Sequence, residues 1–363
     1  MYWSRGTTEL KTMSYLKVER SELLELLRDK RVFVTGGTGS FGSTFVDLCL
    51  STAAVASVTV FSRDEQKHVA LRRRFPDKRL RTMLGDVRDL ERLRFTMRGS
   101  DFVFNAAALK HVHFTEAHPM EAVNTNIIGA FNVCQVAAEL GVEAVVDLST
   151  DKAVEPVNAM GMTKALQERI VTSFAGGRTR FGVVRYGNVL ASNGSVVPYF
   201  KRLLEEGNDR LPITDKRMTR FVLTLGDSVD LVLYAMRECR NGEIYVLDLP
   251  AFLIADVAEV MAERARSSDR KVQIEEIGVR PGEKLHETLI SPEEMRHATQ
   301  VGEFWCIRPF ASSEELFPAG TGERRLSSDT VKRMDKQQIA ELLESQNCFP
   351  RLLPLVHSLG RMA

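Results

Sequence analysis

Between Ala144 and Lys164 the chain reads A-V-V-D-L-S-T-D-K-A-V-E-P-V-N-A-M-G-M-T-K. A short β-rich apolar run ends in Ser149, Thr150, Asp151 and Lys152, and a helix-like segment then carries Met160 and Lys164. A carboxylic acid and an amine on consecutive residues are a source and a sink for protons, provided their surroundings shift their ordinary charge states. The plain alternative is an exposed Asp-Lys ion pair at a strand end, which contributes little. Lys164 follows Met160 by four positions and shares its helix face, while Thr150 places a hydroxyl beside the acid. Strand ends just ahead of a crossover helix are where open α/β sheets place ligands and catalytic groups. The upstream chain reads as a nucleotide site built beside this stretch, and the downstream chain as a lobe that holds a substrate over it.

The nucleotide site begins at Arg31-Val32-Phe33-Val34-Thr35, a buried-strand pattern that runs into Gly36-Gly37-Thr38-Gly39-Ser40-Phe41-Gly42 and a helix-like run to Leu50. Glycines at 36, 39 and 42 allow a tight turn, a close backbone approach to a pyrophosphate and close helix packing, with the phosphates at the helix N-terminus. The T-G-x-x-G-x-x-G spacing is similar to that of the short-chain dehydrogenase/reductase superfamily. A second strand, Ser57 to Phe61, ends at Ser62-Arg63-Asp64. Arg63, with Ser62 before it and Lys67 a helical turn later, suits a 2′-phosphate and so NADP; Asp64 keeps NAD as the alternative, because an acidic residue here bonds ribose hydroxyls in NAD binders. Asp86, followed by Val87, is placed at the adenine edge. Ala106 and Ala107 after the fourth strand are small enough to let backbone approach the cofactor, and Lys110, His111 and His113 follow beside the cleft. Histidines two apart hint at a metal, but no acidic or cysteine partner with ligand spacing lies near them. Asn126, on the helix ahead of the fifth strand, belongs to the same neighbourhood. The repeated alternation of strand and helix predicts an α/β fold, a Rossmann-type doubly wound parallel sheet with a smaller C-terminal substrate-binding lobe.

At 363 residues the chain has room for both. We expect an N-terminal extension at 1–28, a nucleotide domain at 29–190 with returning segments near 221–250, an interleaved lobe at 191–345 and a tail at 346–363. The extension carries no chemistry and reads as an extra helix, an oligomer contact or a disordered tail. Lysine plus arginine number 49 against 48 aspartates and glutamates, so no global field points to nucleic acid or an acidic membrane. The five cysteines are scattered without C-x-x-C spacing, which argues against a disulfide framework or zinc site and for a reducing cytoplasm. No apolar run approaches the roughly 20 residues that span a bilayer. Tyr186 and Asn188, at the end of the nucleotide domain, and Ser195 and Val196, at the start of the lobe, flank the cleft. Arg217-Met218-Thr219-Arg220 and Arg280-Pro281-Gly282-Glu283-Lys284 are the lobe's conspicuous polar clusters. Their arginines suit a diphosphate, or are surface charges beside turns.

The segments T-G-G-T-G-S-F-G, F-S-R-D-E, G-D-V-R-D, A-A-A-L-K-H-V, S-T-D-K-A, R-Y-G-N-V and R-P-G-E-K, in that order, resemble the extended short-chain dehydrogenase/reductases that act as UDP-N-acetylglucosamine 4,6-dehydratases, in their soluble C5-inverting branch. The resemblance covers about residues 29–310. It implies tightly bound NADP, a UDP-sugar substrate, a role in bacterial surface-sugar biosynthesis and a cytoplasmic homo-oligomer, from dimer to hexamer. Membrane-anchored relatives carry a transmembrane region ahead of this domain that is absent here. Dinucleotide contacts are implied at Gly36 through Gly42, Ser62, Arg63, Lys67, Asp86, Val87, Ala106, Ala107, Lys110, Asn126, Ser149, Lys164, Tyr186 and Asn188. Sugar-nucleotide contacts are implied at Lys110, His111, Asn188, Ser195, Val196, Arg217, Arg220, Arg280 and Glu283. In the reaction that the family performs, hydride leaves C4 as the 4-hydroxyl loses its proton, water is eliminated across C5 and C6, and hydride returns to C6. The resemblance assigns Lys152 as the C5 base, Asp151 as the acid for the departing 6-hydroxyl, Thr150 as a partner of the 4-hydroxyl, and Lys164 to the nicotinamide ribose.

One departure is that the superfamily's Y-x-x-x-K pair falls on Met160-Gly161-Met162-Thr163-Lys164. With no tyrosine, Asp151 or a water held by Thr150 is the expected acceptor of the 4-hydroxyl proton. Lys152 must be neutral and Asp151 protonated to act. Burial, the Lys164 ammonium and the nicotinamide charge disfavour a charged Lys152, while the same positive charges favour an ionised Asp151, so the two groups are expected to titrate as a coupled pair whose microstates stay open. A UDP-hexose 4-epimerase shares the fold and the first hydride step, and a catalytically silent NADP-binding sensor is the third reading.

Overall fold

In the computed structural model, the residues described are 19–52, 54–192, 194–240, 242–265, 271–309 and 324–350. The expected tail beyond 350, residues 1–18 of the extension and Asn193 lie outside them. Six parallel strands, β1 (Arg31–Thr35), β2 (Ser57–Ser62), β3 (Leu80–Leu84), β4 (Phe102–Asn105), β5 (Ala144–Thr150) and β6 (Arg180–Tyr186), lie in the order β3-β2-β1-β4-β5-β6. Ile244–Leu247 continues the sheet parallel to β6, and Phe304–Ile307 and Ala298–Val301 close it as antiparallel strands. The chain crosses from β3 to β4, so the strand order reverses beside β1. The carboxyl ends of β1 and β4 meet at this switch point, which is where such sheets bind ligands.

Helices cover both faces, which is why β1 and β5 read as near-continuous apolar runs. Ser40–Ser51 and Leu225–Glu238 pack together on one face, while Leu90–Met97, Gly129–Leu140 and Ala159–Ser173 line the other. The short helix Arg20–Glu25 is part of this body. Leu23 and Leu27 are fully buried, and Arg20 forks onto Asp230 at 2.7 and 2.8 Å. A second core gathers the helices Val196–Glu205, Ile254–Arg264 and Lys336–Ser345 around the parallel pair Arg210–Ile213 and Gln273–Glu276. Among the described residues, no helix is long and apolar enough to cross a membrane.

A buried cation ties the C-terminal segment 288–295 to the sheet. Arg185 of β6 is 1% exposed. It donates to Glu168 on the helix Ala159–Ser173 at 2.6 Å, to Glu294 at 2.8 Å and to the Leu289 carbonyl. Glu294 also closes the capping box of the helix Pro292–Met295. Burial pushes the Glu294 carboxyl up, but Arg185 and the cap bonds outweigh it and hold it below the usual range. The stabilisation from Glu294 is therefore complete above the ordinary carboxylate pKa and lost as pH falls through the lowered one. Replacing Arg185 with Met strands two buried carboxylates and should cost about 3–5 kcal/mol in urea unfolding. A loss below about 1 kcal/mol, the scale of a surface pair, would show that the triad does not hold this segment to the sheet.

Candidate active site

A cleft of about 1060 Å³ opens over the carboxyl ends of β1, β4, β5 and β6. Its floor is the glycine turn. Gly36 has φ +63°, and a Cβ there would lie 2.7 Å from the Ala106 carbonyl oxygen, so the loops after β1 and β4 rest on each other. A Cβ on Gly42 would collide with the Gly37 backbone at 2.3 Å, whereas one on Gly39 would meet the Gly36 carbonyl alone, at 3.3 Å, with its cleft side open. No side chain caps the helix Ser40–Ser51, so its N-terminal dipole is available to an anion. The hydroxyls of Thr125, Ser149 and Ser195 are buried on the cleft wall without a partner. An open glycine turn, an uncapped helix and orphaned donors fit a dinucleotide and a second polar ligand.

At the cleft end beside β2, Ser62 Oγ bonds Thr38 Oγ1 at 3.1 Å and His68 Nε2 at 2.9 Å. Asp64 caps the helix Glu65–Arg74, accepting from Lys67 N at 3.0 Å and lying 3.2 Å from Lys67 Nζ. Its carboxylate is thereby drawn to the helix. Arg63 lies 3.5 Å from Asp86, which Arg88 also holds, at 2.7 Å. Asn126 sits behind the wall, fully buried, on a π-turn spanning Val123–Ile128. Its amide bonds both the N–H and the C=O of Leu109, and Thr163. It thus fixes the segment that presents Lys110 and His111 to the cleft, and does not itself line it. Burial lowers the pKa of both Lys110 and His111, and at His111 the neighbouring Lys110 and His113 add to the shift.

At the β5 end, Ser149, Thr150, Lys152, Met160 and Lys164 line the cleft. Thr150 donates to Asp151 Oδ1 at 2.8 Å. Lys152 Nζ lies between Asp151 Oδ1 at 3.0 Å and Glu287 Oε1 at 3.1 Å. Both carboxylates are essentially inaccessible, and each keeps one buried oxygen without a partner. Burial pushes the Lys152 pKa down, but Asp151 and Glu287 outweigh it and the net shift is upward. The conflict left open between the two groups is met by a third, since the Glu287 carboxylate joins Asp151 in favouring the ammonium. Lys164 does not oppose it as expected. Its Nζ donates to the Leu148 carbonyl and to Gln167, 3.9 Å from Asp147, and burial lowers its pKa.

Sequence reasoning missed Glu287, Asp147 and Gln167. Asp147 left a signal, a carboxylate inside an apolar strand; Glu287 is the last residue of R-P-G-E-K-L-H-E and left none that spacing reveals.

The arginine clusters expected to hold a diphosphate do not reach the cleft. Arg217 is drawn to Asp215 at 2.7 Å and left 75% exposed. Arg280 stands 3.9 Å from Glu283, outside the wall. Arg220 is buried, donating to the carbonyls of Thr219, Lys284 and Leu285, with Glu287 at 3.9 Å. Local carboxylates and carbonyls have claimed these cations. Val196 opens a helix behind the wall, whereas Ser195, Tyr186 and Asn188 line it. Among the described residues, no histidine, cysteine and carboxylate cluster could hold a metal ion.

Residues 32–309 match the model of the family described as polysaccharide biosynthesis protein. A UDP-N-acetylglucosamine 4,6-dehydratase (inverting) of Campylobacter jejuni is 43% identical over 288 residues, 78% of this chain and 84% of that protein. A UDP-glucose 4-epimerase of Rickettsia prowazekii is 41% identical over 330 residues, 87% of this chain and 95% of that protein. The X-ray structure of Pen from Bacillus thuringiensis superposes with a TM-score of 0.82 at 34% identity, covering 89% of this chain and 99% of that one. A dTDP-glucose 4,6-dehydratase of Streptomyces venezuelae, solved with NAD, shares the fold at 23% identity and a TM-score of 0.63, over 70% of this chain and 86% of that one. With the glycine turn, the switch-point cleft and these matches together, the chain belongs to the polysaccharide biosynthesis protein family, among the nucleotide-sugar-modifying short-chain dehydrogenase/reductases.

Proposed function

We propose that this protein catalyses the NADP-dependent 4,6-dehydration of UDP-N-acetylglucosamine, with inversion at C5, to a UDP-4-keto-6-deoxy-N-acetylhexosamine for bacterial surface-sugar biosynthesis. The observation that carries the reading is the Lys152 ammonium bonded to Asp151 at the cleft wall, 3.0 Å apart. Elimination across C5 and C6 needs both a base and an acid, and a 4-epimerase has no use for the pair.

Transfer of one proton from Lys152 to Asp151 converts the resting ion pair into a free amine and a carboxylic acid. These are the two species the elimination requires. A sugar that fills the cleft excludes water and favours this neutral form, since desolvation penalises charge. Lys152 then removes the C5 proton, and Asp151 gives its proton to the departing 6-hydroxyl. A solvent-derived proton delivered to the face of C5 opposite Lys152, which gives up to solvent the one it took, sets the inverted configuration. The dinucleotide, when bound, supplies the hydride acceptor at C4 and the donor at C6.

Support for NADP lies in Arg63 and Lys67, which line the cleft while Asp64 is drawn to its helix cap. The distant NAD-bound dehydratase keeps NAD as the alternative. The exposed apolar side chains of Phe131, Met162 and Leu166, on the helices Gly129–Leu140 and Ala159–Ser173, favour a homo-oligomer, and the reading places the enzyme in the cytoplasm. The 4-epimerase is the second reading, favoured by relatives of that name whose length the chain covers more fully.

Incubating the purified protein with UDP-N-acetylglucosamine in deuterated water should release a product lighter by one water and carrying deuterium at C5. A C4 epimer without water loss would establish the second reading instead, and a gluco configuration in the fresh 4-keto product, read from NMR couplings, would remove the inversion. For Glu287→Gln, losing one of the carboxylates that hold Lys152 charged must lower its pKa. The pair acts only while it holds its one proton, so the alkaline-falling limb of kcat, where that proton is lost, should move to lower pH by about one unit, worth about 1.4 kcal/mol. An unmoved limb would mean that Lys152 is not the base.

A further inference from the structure

We propose that Lys164 accepts the proton of the substrate's 4-hydroxyl, and that Asp147, buried in β5, is a positioning residue that shares a single proton with it. The inference rests on the dehydratase reading, and it fills the place left by Met160.

Asp147 stands in mid-strand with no exposed surface. Its Oδ1 accepts from Asn105 Nδ2 at 2.5 Å, and both its oxygens accept from Gln167 Nε2 at 2.8 Å. Lys164, 4% exposed, donates from Nζ to Gln167 Oε1 at 2.7 Å. Gln167 therefore bridges the two, its carbonyl toward the amine and its amide toward the acid, and Nζ and Oδ2 are 3.9 Å apart. An apolar side chain at 147 would continue the run on either side of it at no desolvation cost, so the carboxyl has a purpose other than packing.

The geometry favours Lys164 over the other candidates. Met160 has no proton to exchange. Asp151 already accepts at Oδ1 from Thr150 and Lys152, and the elimination draws on its proton. Lys164 lines the cleft. Burial raises the Asp147 pKa and lowers that of Lys164, so both tend to their neutral forms, against their mutual attraction. The other groups that face them are Glu168, which favours the ammonium and disfavours a charged Asp147, and Cys134, Tyr186 and Asn105, which surround the acid.

In the step itself the substrate O–H bond breaks and an N–H bond forms on Lys164, while the C4 hydride leaves with its electron pair for the oxidised dinucleotide and C4 becomes a carbonyl. The new ammonium replaces the positive charge that the hydride cancels, so the closed site keeps its net charge. Lys164 later releases this proton to solvent, and Asp151 regains the one it gave to the departing water.

The test uses full-length protein, loaded with its dinucleotide and labelled at lysine Cε with carbon-13. The Lys164 resonance, assigned with Lys164→Arg, should titrate in two steps, the mark of a shared proton, and Asp147→Asn should collapse them into one. A single step with the same midpoint in both proteins would overturn the pairing; if Asp147→Asn does not fold, a single step in the parent decides the same way. Lys164→Arg should retain dinucleotide in equilibrium dialysis yet lose about 10²–10⁴-fold in the single-turnover hydride step, the range for a general base. A loss under about tenfold would overturn the acceptor role. If the parent protein itself shows no hydride step with any UDP-hexose, the dehydratase reading falls and takes the acceptor role with it, while the titration still judges the pair.

Discussion

The site depends on a cation enclosed between two carboxylates. Lys152 is half-buried in the cleft wall, and Asp151 and Glu287 hold it charged. Burial alone would strip that charge, and a buried lysine without partners titrates far below its ordinary value. One of the two carboxylates follows β5 directly and the other comes from the C-terminal lobe. The charge state of the proposed base is therefore set jointly by both lobes, which gives a ligand that moves the lobe a direct route to it.

That dependence explains where the fold invests its buried polar groups. The segment that carries Glu287 runs into the strand Thr288–Ile290, and the carbonyl of Leu289 and the carboxylate of Glu294 both bind Arg185 on β6. Arg220 reaches the other side of the same segment through the carbonyls of Lys284 and Leu285, and Lys284 reaches back to the Val154 carbonyl at 2.6 Å. Each contact burdens the core with a desolvated charge, and together they fix one carboxylate beside one amine. A second buried network, running from Thr35 through Asn105, Asp147 and Gln167 to Lys164, lies beneath the floor of the same cleft.

What could be read from the sequence was local. The glycine turn was legible because the demands at Gly36 and Gly42 are steric and fall within one strand-turn-helix unit. The acid and amine at the end of β5 were legible because strand and motif are contiguous. Asp64, which sequence kept as the ribose ligand of the NAD alternative, caps its helix while also lining the cleft, and a residue type that fills both roles cannot be assigned by spacing. Arg217 and Arg280 looked like phosphate ligands but found nearer carboxylates. Glu287 was illegible because its partner lies far along the chain and is reached only after the lobe folds back over the sheet. The charge state of Lys152 stayed open for want of that one neighbour.

The most direct test of the account is the fate of the sugar in a Lys152→Met variant that still binds its dinucleotide. If Lys152 is the C5 base, a single turnover followed by rapid quenching and mass spectrometry should trap a 4-keto sugar with its 6-hydroxyl intact, because oxidation at C4 does not need the amine. Formation of the 6-deoxy product at the parent rate would contradict the account, since the base would then have to be another group.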